Sequence, residues 1–170
     1  LVSADQYQVN QYDVARNAWD PLQFGLGLIA HGAVRVAGSQ VSSFVYAKDM
    51  KPGDTSVLYV ACGNFSSAGT GLYKSTDAGA VTPTFTKMTS GLPAYTGMAR
   101  IAISAANTSR IYASIGHDPY SATKFGLYVS TNQGSTWAKA TTTNIINGQG
   151  WYAHDVVVDP ANANNVYWGE

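Results

Sequence analysis

The sequence of 170 residues holds a single cysteine, Cys62, so it can build no internal disulfide framework and offers no cysteine cluster to a zinc ion. Its three histidines, His31, His117 and His154, lie far apart along the chain, and no metal site is expected. Charge is scarce as well: Lys+Arg 10 balances Asp+Glu 10, and charged residues make up 12%, about half the usual globular share. A chain without basic excess has no electrostatic hold on a polyanion, which argues against nucleic acid as a partner. No apolar run approaches the roughly 18 residues of a membrane-spanning helix. A Gly-rich phosphate loop, a Ser-His-Asp spacing, an HExxH helix and a haem attachment motif are all absent, so no cofactor is expected. The sequence also opens without Met or a charged-then-apolar leader, and the expectation is a processed product or part of a longer chain.

What is present is a folding sequence. Hydrophobic residues make up 45%, with 11 Tyr and 4 Trp, far from the composition of disordered chains. Surface polarity comes from Ser, Thr, Asn, Gln and Tyr instead of Lys and Glu, a style that points to a secreted or cell-surface protein. Cys62 ends the apolar run Leu58-Tyr59-Val60-Ala61-Cys62 and reads as a buried small hydrophobe.

The informative feature is an internal repeat. Gly71-Leu72-Tyr73-Lys74-Ser75-Thr76-Asp77-Ala78-Gly79 returns 55 positions later as Gly126-Leu127-Tyr128-Val129-Ser130-Thr131-Asn132-Gln133-Gly134. The segment from Ile103 to Tyr112 returns at the same offset as Val158 to Tyr167. A worn third copy runs through Phe44 to Asp49, a Pro52-Gly53 turn and Val57 to Ala61. Every unit reads as β: short runs rich in Val, Ile, Tyr and Thr, separated by Gly, Asn, Asp and Pro. The longest helical candidate, 23–38, is interrupted by Gly25, Gly27, Gly32 and Gly38.

A meander of four strands in about 55 residues is the signature of a β-propeller blade. The fold class expected is therefore all-β, an incomplete propeller of four-stranded antiparallel blades. With strands lettered from the axis outward, A falls at 102–105 and 156–159, B at 110–114 and 165–169, C at 71–75 and 126–130, and D at 84–88 and 136–140. The division expected is 1–40 as the outer hairpin of a preceding blade plus a long loop, 41–95 and 96–150 as blades, and 151–170 as the first two strands of another.

The segment Ser130-Thr131-Asn132-Gln133-Gly134-Ser135-Thr136-Trp137 resembles the Asp box of bacterial neuraminidase repeats, and Ser75-Thr76-Asp77-Ala78-Gly79 resembles its first half. The 159–167 turn resembles the linking segment of the same superfamily, and Gln149-Gly150-Trp151-Tyr152 is similar to secreted bacterial members of its sortilin-type, xyloglucanase-like branch. The resemblance covers roughly 41–170. It implies that Ser75, Asp77, Gly79, Ser130, Asn132, Gly134 and Trp137 are structural, in hairpins away from any active site. The physics agrees: an Asx side chain can bond the amides of its own turn, and Gly supplies a positive φ.

A propeller closes with roughly 4 to 8 blades, and this chain supplies about three. The expected partners are the remaining blades of the same protein or identical copies, with a glycan or protein as ligand. Strand order places the D-to-A and B-to-C loops on one rim. That rim gathers Trp151, Tyr152, His154, Asp155, His117 and Tyr120 with Tyr95 and Arg100, a candidate ligand-binding set, since aromatic faces stack on sugar rings while polar groups meet hydroxyls. Glycoside hydrolysis needs two facing carboxylates, and the rim offers Asp118 and Asp155. Two functions stay open: a non-enzymatic extracellular propeller that binds glycan or protein or builds a surface assembly, and a segment of a secreted glycoside hydrolase.

Overall fold

The computed structural model describes residues 57–62, 70–78, 84–95, 97–116, 125–143, 145–146, 150 and 153–170, and the strand backbones of 2–4, 9–13, 18–21 and 41–46. The described residues form thirteen strands and no helix. β1 (Val2–Ala4), β2 (Val9–Asp13) and β3 (Ala18–Pro21) make a three-stranded antiparallel sheet. β4 (Val41–Tyr46), β5 (Leu58–Cys62), β6 (Gly71–Ser75) and β7 (Thr86–Met88) form a four-stranded meander, and so do β8 (Ala99–Ser104), β9 (Asn107–Ile115), β10 (Gly126–Ser130) and β11 (Ala138–Lys139). β12 (Asp155–Val158) and β13 (Val166–Gly169) pair as a hairpin. All ladders are antiparallel.

The sheets stack face to face because alternate side chains of the middle strands are apolar on both sides. One face of the β8–β11 sheet, through Ile101, Ile111, Ala113 and Tyr128, packs on Tyr59, Ala61 and Leu72 of the β4–β7 sheet. Its other face, through Ala102, Tyr112 and Leu127, packs on Val156 and Val158 of β12. Each large side chain enclosed this way contributes about 1.5–3 kcal/mol. Hydroxyls add direction: Tyr59 donates to the Gln133 carbonyl (3.2 Å) and Tyr112 donates to the Ala163 carbonyl (3.1 Å), each reaching into the next sheet. The first strands of successive sheets are neighbours, β4 beside β8 and β8 beside β12. Cys62 is wholly buried, and desolvation pushes its thiol up to about 12.

The repeated turns keep their hydrogen bonds while changing residues. Ser104 Oγ accepts the Ala106 amide (3.0 Å), as Asp159 Oδ1 accepts the Ala161 amide (2.8 Å), and Asn107 and Asn162 each accept the amide two residues on. Ser104 Oγ also donates to the Asp159 carbonyl (2.7 Å), joining the two turns across the stack. In the β6–β7 hairpin Ser75 Oγ donates to Asp77 Oδ1 (2.9 Å), which also accepts the Thr84 amide (2.8 Å). The β10–β11 hairpin repeats this with Ser130 Oγ to Asn132 Oδ1 (2.9 Å) and the Thr136 amide to Asn132 Oδ1 (2.9 Å). Only the outer contact reverses: Thr84 Oγ1 donates to Asp77 Oδ2, whereas Asn132 Nδ2 donates to Thr136 Oγ1.

β6 and β10 occupy the expected spans, but the inner and outer strands differ from them. β8 starts at Ala99, because the Ala99↔Ile115 pair already belongs to the ladder. β11 shrinks to two residues, since the Thr136 amide goes to Asn132 and the Trp137 amide to the Ser90 carbonyl (3.0 Å). β1 adds a strand that the hairpin reading of the first forty residues did not contain. Residues 22–40 lie outside the described residues.

Candidate functional site

In an antiparallel meander successive connections leave from alternate ends. One end of the stack carries the short β8–β9 turn, the β12–β13 turn and the two polar hairpins; the other carries the segments entering β8 and β12 and leaving β9. The second end is the rim whose residues were expected from the sequence to form a ligand-binding set. His117, Asp118, Tyr120, Trp151 and Tyr152 lie outside the described residues, in the connections from β9 to β10 and from β11 to β12. Tyr95, Arg100, His154 and Asp155 are described.

Tyr95 is buried between sheets and its hydroxyl donates to the Cys62 carbonyl (2.8 Å), with desolvation raising its pKa well above the ordinary phenol range. Arg100 is half-buried on β8, on the strand face shared with Ala102 that meets β12. Asp155 is exposed at the start of β12, with Oδ1 accepting the Val156 amide (2.8 Å). His154 is 5% exposed and sits in a polar seam that the sequence reading missed. Its Nε2 lies 3.1 Å from the Met98 carbonyl and its Nδ1 lies 2.7 Å from Ser114 Oγ, which in turn accepts the Trp168 indole N–H (2.8 Å). The available signal was Ser114 itself, a lone polar residue inside the apolar run Ile111-Tyr112-Ala113-Ser114-Ile115.

A carbonyl only accepts, so Nε2 carries the imidazole proton; neutral His154 then offers Nδ1 as acceptor, and Ser114 donates to it. Burial lowers the His154 pKa, which keeps the ring neutral; the Met98 hydrogen bond opposes that shift. Ser114 is fully enclosed, so it does not present a nucleophile; its side chain links those of His154 and Trp168. The Met98 carbonyl also accepts the Gly116 amide (3.0 Å), and a Cβ on Gly116 would run into the Gly150 carbonyl and the His154 ring.

The described carboxylates follow the same pattern. The Thr84 amide is the largest influence holding Asp77 below the ordinary aspartate range, and the Ala161 amide does the same for Asp159. Asp77 and Asp159 sit in turns at the opposite end from Asp155. Ser75, Asp77, Ser130, Asn132, Gly134 and Trp137 all lie in the two polar hairpins, while Gly79 falls outside the described residues. Gly134 has φ 84°, and Trp137, 6% exposed, donates its indole N–H to the Gly134 carbonyl (3.1 Å). Among the described residues no group of three His, Cys, Asp or Glu side chains could hold a metal ion, and no helix is long and apolar enough to cross a membrane.

No protein-family model matches the chain, and no curated protein matches it. Among solved structures, the GH74 enzyme of Niastella koreensis is similar, with a TM-score of 0.56 and 24% identity over 97% of this chain. The likeness establishes a shared fold. The chain spans 24% of that structure's length.

Proposed function

We propose that this chain is a run of β-propeller blades of the Asp-box kind in a secreted or cell-surface protein, and that the blades are a non-enzymatic frame for rim loops that bind a glycan. One observation carries the functional reading. At the rim end, Asp155 is engaged with the Val156 amide, and His154 with the Met98 carbonyl and the enclosed Ser114 hydroxyl, so these two side chains are already engaged within the protein. Recognition is then left to the adjoining connections, whose sequences supply Trp151, Tyr152, His117 and Tyr120, with Arg100 at their base. Tyr95 and His154 act from behind as supports.

Support for blades comes from the four-stranded meanders, their face-to-face stacking and the neighbouring first strands β4, β8 and β12. Support for the Asp-box assignment comes from the hydrogen-bond set shared by the 75–84 and 130–136 hairpins. In this reading further blades, from the same polypeptide or from identical copies, complete the ring, and neither cofactor nor metal takes part.

The test is calorimetric titration with a soluble plant polysaccharide such as xyloglucan. Saturable binding is expected, and Trp151→Ala is expected to weaken it about tenfold or more through loss of ring stacking. A second reading, part of a secreted glycoside hydrolase, draws on the fold shared with a GH74 enzyme. Release of reducing ends from the same polysaccharide, abolished by Asp118→Asn or Asp155→Asn, would favour that reading over the first.

A further inference from the structure

Besides the Tyr112 and Ser104 hydrogen bonds at its turn end, the seam between the β8–β11 sheet and the β12–β13 hairpin holds a buried polar chain. It runs from the Trp168 indole on β13 to Ser114 on β9, then to His154 just before β12, and ends on the Met98 carbonyl just before β8. Its polarity is fixed at both ends. An indole N–H only donates and a carbonyl only accepts, so every proton between them has one arrangement while His154 is neutral.

We propose that this chain is an acid-sensitive latch, which locks the β12–β13 hairpin onto the β8–β11 sheet while His154 is neutral and lets the seam loosen when His154 takes up a proton. A second ring proton on Nδ1 removes the acceptor that Ser114 needs. Ser114 Oγ must then turn its lone pairs to both Nδ1–H and the Trp168 N–H, and its own hydroxyl proton loses its partner inside a fully enclosed site. The new cation also sits at a position that is 5% exposed.

Among the described residues three charged groups act on His154. Arg100, on β8, opposes the cation; Asp155, on β12, and Glu170, after β13, favour it. Burial and Arg100 act in one direction, holding protonation below the ordinary histidine value of 6.5, and the Met98 hydrogen bond and the two carboxylates act in the other. The seam is therefore closed at neutral pH and weakens as pH falls below 6.5, the sign expected of a group that the folded state prefers to keep unprotonated. The inference stands whether or not the rim binds a glycan.

The test needs no ligand. In the isotopically labelled full-length protein, the His154 ring signals, the Trp168 indole N–H and the exchange rate of the Gly116 amide, which shares the Met98 carbonyl, are followed by NMR from pH 8 downward. The expected result is one common midpoint below 6.5 and, once exchange rates are corrected for their intrinsic pH dependence, lower protection of Gly116 on its acid side, with the Ile111 and Ala113 amides still protected. In Ser114→Ala the neutral ring loses its donor and the protonated ring its acceptor, so the Trp168 indole signal is expected to lose its dependence on the His154 titration. A Trp168 signal and Gly116 protection indifferent to the His154 titration, or a Trp168 signal that follows it as strongly in Ser114→Ala, would overturn the proposal; the parent titration decides it should that variant not fold.

Discussion

Asp77 and Asn132 do the same structural work with different charge. Both accept a serine hydroxyl and a threonine amide through Oδ1, and each threonine hydroxyl turns to suit its partner, donating to Asp77 and accepting from Asn132. The charge has one consequence. Hydrogen bonds, led by that of the Thr84 amide, hold the Asp77 carboxyl below its ordinary value of 3.8. A depressed folded pKa gives stability that is present above 3.8 and lost as pH falls through the folded value. Asp77→Asn is thus expected to leave the neutral-pH denaturation midpoint near that of the parent and to flatten the loss of stability below pH 3.8, measured by urea denaturation across an acid series. An acid limb as steep as the parent's would contradict this account of the hairpin. These residues were legible because turn chemistry is local: Ser, Asx, Gly and Thr at fixed spacing state their own bonds. His154 was less so. Its neighbours Ser114, Met98 and Trp168 come from three other places in the chain, and nothing in the local sequence announces that they meet.

Among elements, the strands whose sequences repeat were the most legible. β6 and β10 begin at Gly71 and Gly126 and end at Ser75 and Ser130, where the polar hairpins take over the backbone. The edge strand β11 was not, since the sequence does not show that the Trp137 amide crosses to the Ser90 carbonyl of the neighbouring sheet. Close approach decides a second element. The segment entering β12 passes against the end of β9 at Gly116, where an added methyl would strike both the Gly150 carbonyl and the His154 ring. Gly116→Ala is expected to cost about 1–3 kcal/mol through forced displacement, read as a lower urea midpoint, with the Trp168 indole signal shifted. A variant with the parental midpoint and an unmoved indole would show that the seam is looser than described.

At the scale of the whole molecule, the repeat in the sequence becomes a stack of sheets, because each middle strand is apolar on both faces and must be covered twice. The all-β class and its antiparallel meanders were legible from this periodicity; the contacts between sheets were not, since they join distant units. In the proposed function the two ends of the stack have opposite duties: polar hairpins and turns hold the sheets at one, and the connections at the other bind the ligand. Hydrogen–deuterium exchange with and without a saturating soluble oligosaccharide tests that division directly. Slowed exchange is expected in 117–124 and 147–154, with none in the 131–136 and 159–165 turns. Slowed exchange in those turns, or no change anywhere under conditions that saturate binding, would contradict it.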